Sequence, residues 1–245
     1  MSLPASLPQA PTPGAPEKVA VRSMFDRIAP RYDLLNRVLS AGTDVRWRRA
    51  CVDLLEMDAA ATALDVCSGT ADLLIEFLGR SPDRRGLGVD LSSAMLVRGA
   101  SKLKQRGMGE RGRVASGDAE RLPVRSGRFD AALVAFGIRN VGDPLAALRE
   151  MFRALRPGGR AVVLEFSMPR GLLGRLYRLY FRQVLPRIGG LVSDRSAYAY
   201  LPASVERFAT PAAFAALMAE AGFADVRFVP LTGGIAHLYR GEKRA

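Results

Sequence analysis

The chain has 245 residues, 49% of them hydrophobic, and carries 36 Lys plus Arg against 24 Asp plus Glu, a formal net charge of +12. One domain with a sizeable core is within reach, and the basic excess suits plain solubility, a nucleic acid, an anionic membrane surface or an acidic substrate. Two cysteines and one histidine, His237, make neither a disulfide framework nor a His-rich site, so no metal is expected and a reducing cytosol is the default compartment.

Residues 1–18 alternate prolines with small residues and lack the apolar stretch of a signal peptide; they read as a disordered tail before a single domain over 19–245. From Val19 to Met57 the apolar spacing is helical, broken at Pro30 and at Gly42, which predicts an N-terminal helical cap. "ATALDVCS" then predicts a buried strand, "DLLIEFLGR" a short helix and "RGLGVDLS" a second strand. "SSAMLVRGASKLKQRG" predicts a helix with Ser92 or Ser93 as N-cap. "GRVASGDAERLP" gives a third strand and a polar loop, and "FDAALVAFG" a fourth strand. The next helix has Asp143 as N-cap and Pro144 as first residue; it stops at a turn, "RPGG", before a fifth strand, "RAVVLEFS". Residues 168–202 read as an insertion, a lid over the substrate. A helix follows ("TPAAFAALMAEAGF"), and then two strands joined so tightly by Gly233 and Gly234 that they must run antiparallel. Strand and helix in alternation call for an α/β fold: a seven-stranded sheet, parallel except for its last strand, with helices on both faces. No run of about 18 apolar residues predicts a membrane span.

"LDVCSGTADL" (64–73) has the layout of a nucleotide-binding loop, a strand turning through glycine into a helix. In an open α/β sheet, ligands bind beyond the carboxyl ends of the strands. Yet only Gly69 matches the Gly-x-Gly-x-x-Gly pattern, with Ala71 and Leu74 at its other glycine positions, and Asp72 at the helix start would repel a pyrophosphate. The loop suits a nucleoside that lacks phosphate and bears positive charge. S-adenosylmethionine fits, with its ammonium and sulfonium. Asp65 and Asp72 then complement the cation, and Gly69 lets the backbone come close. Asp90 ends the second strand about 20 residues on, where a carboxylate can accept both ribose hydroxyls. Asp118, after the third strand, can accept from the adenine amino group, with the Ala119 N–H beside it. Each acid alone is as well explained as a strand-end or cap residue. Three at successive strand ends, beside a defective phosphate loop, favour the methyl donor.

These residues resemble a class I methyltransferase, a Rossmann-like fold. "YDLLNRVLSAGTDVRW" (32–47), "FGIRN" (136–140), "RALRPGGRAVVLEFS" (153–167) and "VLPRIGGLVSDRSAYAYLPASVERF" (184–208) are similar to segments of the quinone-biosynthesis C-methyltransferases of the UbiE/MenG type. The similarity covers nearly everything from Val19 to Arg240. The chain departs from the family pattern at Leu35, usually Met, at Asp44, usually His, and at Ser68-Gly69-Thr70-Ala71, usually of Gly-Gly-Thr-Gly type. The extra methyl of Ala71 is tolerated there if its φ is negative. The resemblance implies that Thr70, Asp90, Asp118 and Ala119 contact the cofactor. It also implies methyl transfer to a ring carbon of a demethylmenaquinol or a related polyprenyl benzoquinol.

A carbon acceptor is a weak nucleophile until the quinol hydroxyl loses its proton, so some group must take that proton or stabilise the phenolate. The candidates are Arg139, as phenolate stabiliser, Asn140 and Tyr32, with a held water as relay. Against this, Arg139 and Asn140 read equally well as a pair that fixes the loop backbone, and Tyr32 as core packing; His237, Glu165 and Trp47 read as structural. In the insertion, Leu173, Leu176, Tyr177, Tyr180, Phe181, Val184 and Leu185 share one helical stripe, with Arg175, Arg178 and Arg182 off it. That predicts a lid helix packed on the sheet, or one that also touches anionic lipid and holds a cytoplasmic protein to the inner face of the membrane. A homodimer is compatible with this reading; no nucleic-acid partner is expected. The rivals are an RNA methyltransferase, which would want basic runs interleaved with aromatics, a methyltransferase of soluble small molecules, and a non-catalytic binder of the donor.

Overall fold

Side chains on a strand point alternately to its two faces, so a run that is apolar at every position must be covered twice. The computed structural model, which describes residues 17–40, 42–169, 171, 174–175 and 195–244, shows this arrangement. The order is α1 (Lys18–Ile28), a 3-10 turn (Ala29–Arg31), α2 (Tyr32–Leu39), α3 (Thr43–Asp53), β1 (Thr62–Val66), α4 (Asp72–Leu78), β2 (Arg85–Asp90), α5 (Ser93–Gln105) and β3 (Gly112–Ser116). Then come β4 (Phe129–Ala135), a 3-10 turn (Ile138–Asn140), α6 (Pro144–Ala154), β5 (Leu155–Phe166), α7 (Arg195–Arg207), α8 (Pro211–Glu220), β6 (Ala224–Leu231) and β7 (Ala236–Glu242).

The seven strands lie in the order β3-β2-β1-β4-β5-β7-β6. All pairings are parallel except those of β7, which runs antiparallel to both β5 and β6. This is the expected α/β sheet, with the last strand slotted between two earlier ones. Leu64, Val66, Ala132, Val134 and Val163 face a core closed by α6 and α8 through Leu148, Met151, Phe214 and Met218. The residues between them, Ala63, Ala131, Leu133, Val162 and Leu164, face a second core with α3 and α4, through Trp47, Cys51, Leu74 and Phe77. Ser92 caps α5 by accepting the Met95 N–H at 3.2 Å, and Asp143 caps α6 by accepting the Ala146 N–H at 3.0 Å, as the sequence predicts.

Two local expectations change. The turn at "RPGG" does not precede β5 but lies within it. Phe129 pairs with Leu155 while Ala131 pairs with Arg160, so Arg156–Gly159 bulge out of the ladder. Gly158, at φ +77°, allows the bulge, and its N–H is satisfied by the Lys243 carbonyl at 2.7 Å. The insertion boundary expected at Pro202 falls inside α7, which runs on to Arg207. Residues 1–16 and nearly all of the stripe from Leu173 to Leu185 lie outside the described residues, so the tail and the lid helix are not tested.

After β1 the chain builds outward to β2 and β3, and then returns to build β4 and β5 on the other side. The carboxyl ends of β1 and β4 therefore flank a crevice. There the two loops touch. A Cβ on Gly137 would collide with Cβ of Cys67 and lie 3.3 Å from its Sγ and 3.4 Å from Cγ2 of Val134. Gly137→Ala should cost about 1–3 kcal/mol by forcing the loops apart. Urea denaturation checks this; an unchanged midpoint would mean that the loops separate freely.

Candidate functional site

The glycine loop leaves β1 through alternating left-handed residues, with φ of +53° at Cys67, +52° at Gly69 and +64° at Ala71. The condition set for the Ala71 methyl, a negative φ, is therefore not met. Its N–H closes a turn onto the Ser68 carbonyl at 2.8 Å, and the residue serves as N-cap of α4. A left-handed alanine costs about 1–2 kcal/mol. The buried methyl is housed because Gly99 stands opposite, where a Cβ would come within 3.2 Å of it.

Asp90 ends β2 beside this loop. Its Oδ2 accepts the Gly69 N–H at 2.9 Å and its Oδ1 the Ser92 N–H at 2.8 Å. Burial pushes the carboxyl above its ordinary range, and the backbone donors Ser92, Gly69 and Leu91 oppose that. Each oxygen keeps lone-pair capacity, and Asp90 lines the main cleft together with Gly69, Tyr32, Asp118, Ala119 and Asn140. Six of the ten residues singled out from sequence are thus brought to one cavity.

Asp118 does not stand open. Its Oδ2 accepts from Lys18 Nζ at 2.7 Å and its Oδ1 from the Glu120 N–H at 3.0 Å. Lys18 also donates to Glu120 Oε2 at 2.7 Å. Burial alone would lower the Lys18 pKa, but its bonds to Asp118 and Glu120 raise it. Lys18, Val21, Arg22 and Phe25 share one face of α1 and line the same cleft. Sequence reasoning missed them; their helical spacing was the available signal.

Asp65, Thr70 and Asp72 border a smaller pocket next to the loop, which shares Tyr32 and Gly69 with the cleft. Asp65 is buried and accepts the Leu74 N–H at 3.1 Å, and burial pushes its carboxyl up to about 8. The Thr70 hydroxyl donates to Asp33 at 2.6 Å. Asp72 pairs with Lys102 and lies 3.5 Å from Arg48, whose other partner is Asp44 at 2.6 Å. Asp44 is thus an ion-pair partner: burial favours its neutral form, but Arg48, Ser40 and Arg37 hold its pKa below the ordinary value.

Arg139 lines neither cavity. Its guanidinium bonds to the fully buried Glu165 at 2.8 Å, to Ser204 Oγ at 3.2 Å and to the Phe136 carbonyl. These bonds tie it to the loop after β4, an arrangement compatible with the second of the two readings open from sequence. Asn140 reaches the cleft, while its Oδ1 accepts from the Tyr200 hydroxyl of α7 at 3.0 Å. The Tyr32 phenol is pushed up by burial, against a hydrogen bond with Asn36, so it keeps its proton and can donate a hydrogen bond at neutral pH. A Cβ on Gly69 would sit 3.8 Å from the Tyr32 ring. His237 bonds to Ser167 Oγ at 2.7 Å and Trp47 donates to Thr232 at 2.9 Å; both are structural. Among the described residues no cluster of His, Cys, Asp or Glu is arranged to hold a metal ion, and no helix is long and apolar enough to cross a membrane.

Comparison with known proteins adds to this geometry. A family model described as the ubiE/COQ5 methyltransferase family matches residues 14–243. A Syntrophotalea carbinolica protein described as ubiquinone/menaquinone biosynthesis C-methyltransferase UbiE is 49% identical over 90% of this chain and 92% of its own. A Thermus thermophilus demethylmenaquinone methyltransferase is 48% identical over 90% of this chain and 100% of its own. Among solved structures, a Thermotoga maritima S-adenosylmethionine-dependent methyltransferase, described as a possible histamine N-methyltransferase, has a TM-score of 0.64 at 22% identity, over 91% of this chain and 100% of its own. A Haemonchus contortus phosphoethanolamine N-methyltransferase holding S-adenosylhomocysteine has a TM-score of 0.62 at 14% identity, over 81% of this chain and 52% of its own. At these identities the two structures speak to the fold.

Asp65 makes the site visible in stability. With its native pKa near 8, the folded chain keeps a proton that the unfolded chain releases near pH 4. The contribution is complete below about pH 4 and is lost as pH rises through about 8, because the native state then binds more protons than the unfolded one. Asp65→Asn, which retains an acceptor for Leu74, should flatten the fall of the denaturation midpoint across that range. Asp90 and Glu165 are shifted in the same direction and leave a residual slope. An unaltered slope in the variant would show that Asp65 is ionised throughout.

Proposed function

Because the chain belongs to the ubiE/COQ5 methyltransferase family, we infer that it transfers a methyl group from S-adenosylmethionine to a ring carbon of a polyprenyl quinol in menaquinone or ubiquinone biosynthesis. The observation that carries the site assignment is Asp90: a desolvated carboxylate, pinned by two backbone N–H groups, with an acceptor position left on each oxygen. That geometry suits a ribose diol. The same carboxylate beside a single-glycine loop disfavours a diphosphate.

The donor supplies a methyl carbon already activated by a sulfonium, so the chain's task is chiefly to position two reactants, and good orientation can be worth ~7–11 kcal/mol. Gly69 admits the nucleoside against the backbone, and Asp90 holds the ribose. Asp118 and the Ala119 N–H face the adenine edge, once Lys18 shares or yields its place on Asp118. Asp72 answers the donor's positive end from the adjoining pocket, and that cation favours ionisation of the otherwise protonated Asp65 on binding, with Thr70 fixing the loop between them. Tyr32 donates a hydrogen bond to the acceptor's oxygen, and Asn140, oriented by Tyr200, holds a water that carries the hydroxyl proton away. Arg139 acts through Glu165 and the Phe136 carbonyl as a positioning residue. The lipid-borne tail of such an acceptor and the net charge of +12 favour a peripheral station at an anionic membrane face.

Incubating the purified protein with labelled donor and a panel of short-chain demethylquinols should yield a ring-methylated product. Binding of S-adenosylhomocysteine with no turnover of any quinol would leave only a binding protein. Asp90→Ala should weaken S-adenosylhomocysteine binding by ~10-fold or more in calorimetry, from two lost charge-assisted bonds. Undiminished affinity would overturn the ribose assignment.

A further inference from the structure

A third cavity, of about 220 Å³, lies among α2, α3, α4 and the end of α5. Arg37, Arg48, Arg49 and Arg106 line it, with Asp72 and Glu76. These arginines come from three separate stretches of chain, so no basic run in the sequence announces them. Both carboxylates are already committed: Asp72 to Lys102, with Arg48 at 3.5 Å, and Glu76 to Arg80 at 3.2 Å. Arg48 is held by Asp44 at 2.6 Å. Arg37 pairs with the same Asp44 at 3.6 Å, whereas Arg49 and Arg106 make no ion pair among the described residues. Among the described residues two guanidinium groups, Arg49 and Arg106, thus border this cavity without an anion of their own, and Arg37 shares its anion with Arg48. Like charges converging on a hollow repel one another unless a counter-charge enters.

We propose that this cavity binds a phosphate group. Guanidinium forks match phosphate oxygens in bidentate pairs, and several forks around one hollow discriminate a phosphate from a diffuse counter-ion. Phosphate of this kind has two sources, the headgroup of an anionic phospholipid or a free pyrophosphate. The cavity shares Arg48 and Asp72 with the pocket beside the glycine loop, but Arg37, Arg49 and Arg106 border neither that pocket nor the cleft. Its failure and that of the proposed function are therefore distinguishable.

The test uses the full chain, the double variant Arg49→Gln/Arg106→Gln, and a charge-matched control, Arg125→Gln/Arg128→Gln, at two exposed positions before β4. S-adenosylhomocysteine affinity, unchanged in both, certifies the fold. Pyrophosphate is titrated by calorimetry at constant ionic strength. Co-sedimentation is measured with vesicles of equal parts phosphatidylcholine and phosphatidylglycerol, and with phosphatidylcholine alone. The cavity variant should lose about tenfold in affinity for at least one probe while the control keeps it. Loss toward pyrophosphate identifies a free phosphate ligand, and loss toward the mixed vesicles alone identifies the headgroup. No binding of either probe by the unaltered chain, or a cavity variant that binds as well as the control, overturns the proposal and leaves a solvated basic face.

Discussion

Asp90 joins stretches of chain that the sequence keeps well apart. One oxygen holds the glycine loop through Gly69, and the other holds the entry to α5 through Ser92. Ser92 in turn caps α5, and its hydroxyl donates a hydrogen bond to Asp26 of α1 at 2.5 Å. A single desolvated carboxylate therefore sets the spacing between the first two strand ends and anchors the helix that roofs the cleft. Burying it is unfavourable, and only the convergence of backbone donors makes the charged form tolerable. A site assembled around such a group is rigid where it must meet a ligand, because releasing any one donor leaves buried charge exposed to the others' loss.

Around that centre, two segments outside the alternating strand–helix pattern close the cleft with polar contacts. On one side Lys18 of α1 reaches Asp118 and Glu120. On the other, Tyr200 and Ser204, one turn apart on α7, engage Asn140 and Arg139. The apolar core underneath needs neither contact. The scaffold is thus held by burial, whereas the parts that choose and enclose ligands are held by exchangeable hydrogen bonds, which can be remade when a ligand enters.

The sheet was legible because its strands are short apolar runs bounded by turn residues, and because tight Gly233–Gly234 coupling dictates an antiparallel ending. The acids at successive strand ends were legible for the same reason: once a strand is placed, so is the residue that leaves it. What the sequence withheld depends on distance or on backbone angle. Lys18 and Asp118 meet across 100 positions, and nothing local marks the pairing. Arg139 follows β4 where a ligand-facing group is reasonable; only the tertiary packing of β5, which buries Glu165 beside it, turns the guanidinium inward. Ala71 looks like an ordinary helix-starting residue, and its left-handed φ follows from a turn that the residue type does not favour. The "RPGG" segment has the composition of a turn and does turn, but within a ladder that continues on both sides of it.

The placement of β7 governs how the molecule can be made. It pairs with β5 on one side and β6 on the other, and β6 touches no other strand among the described residues. While a ribosome is extending the chain, β6 emerges before β7, with no partner to receive it and a gap where its neighbour belongs. The five strands preceding it can condense as they appear, since each finds its mate among those already made. Completion of the sheet is then a late insertion into an open edge, contact between distant positions and so intrinsically slow. Until that insertion the flank of β5 is an unprotected template, and the interval is when a chaperone has most to offer this polypeptide.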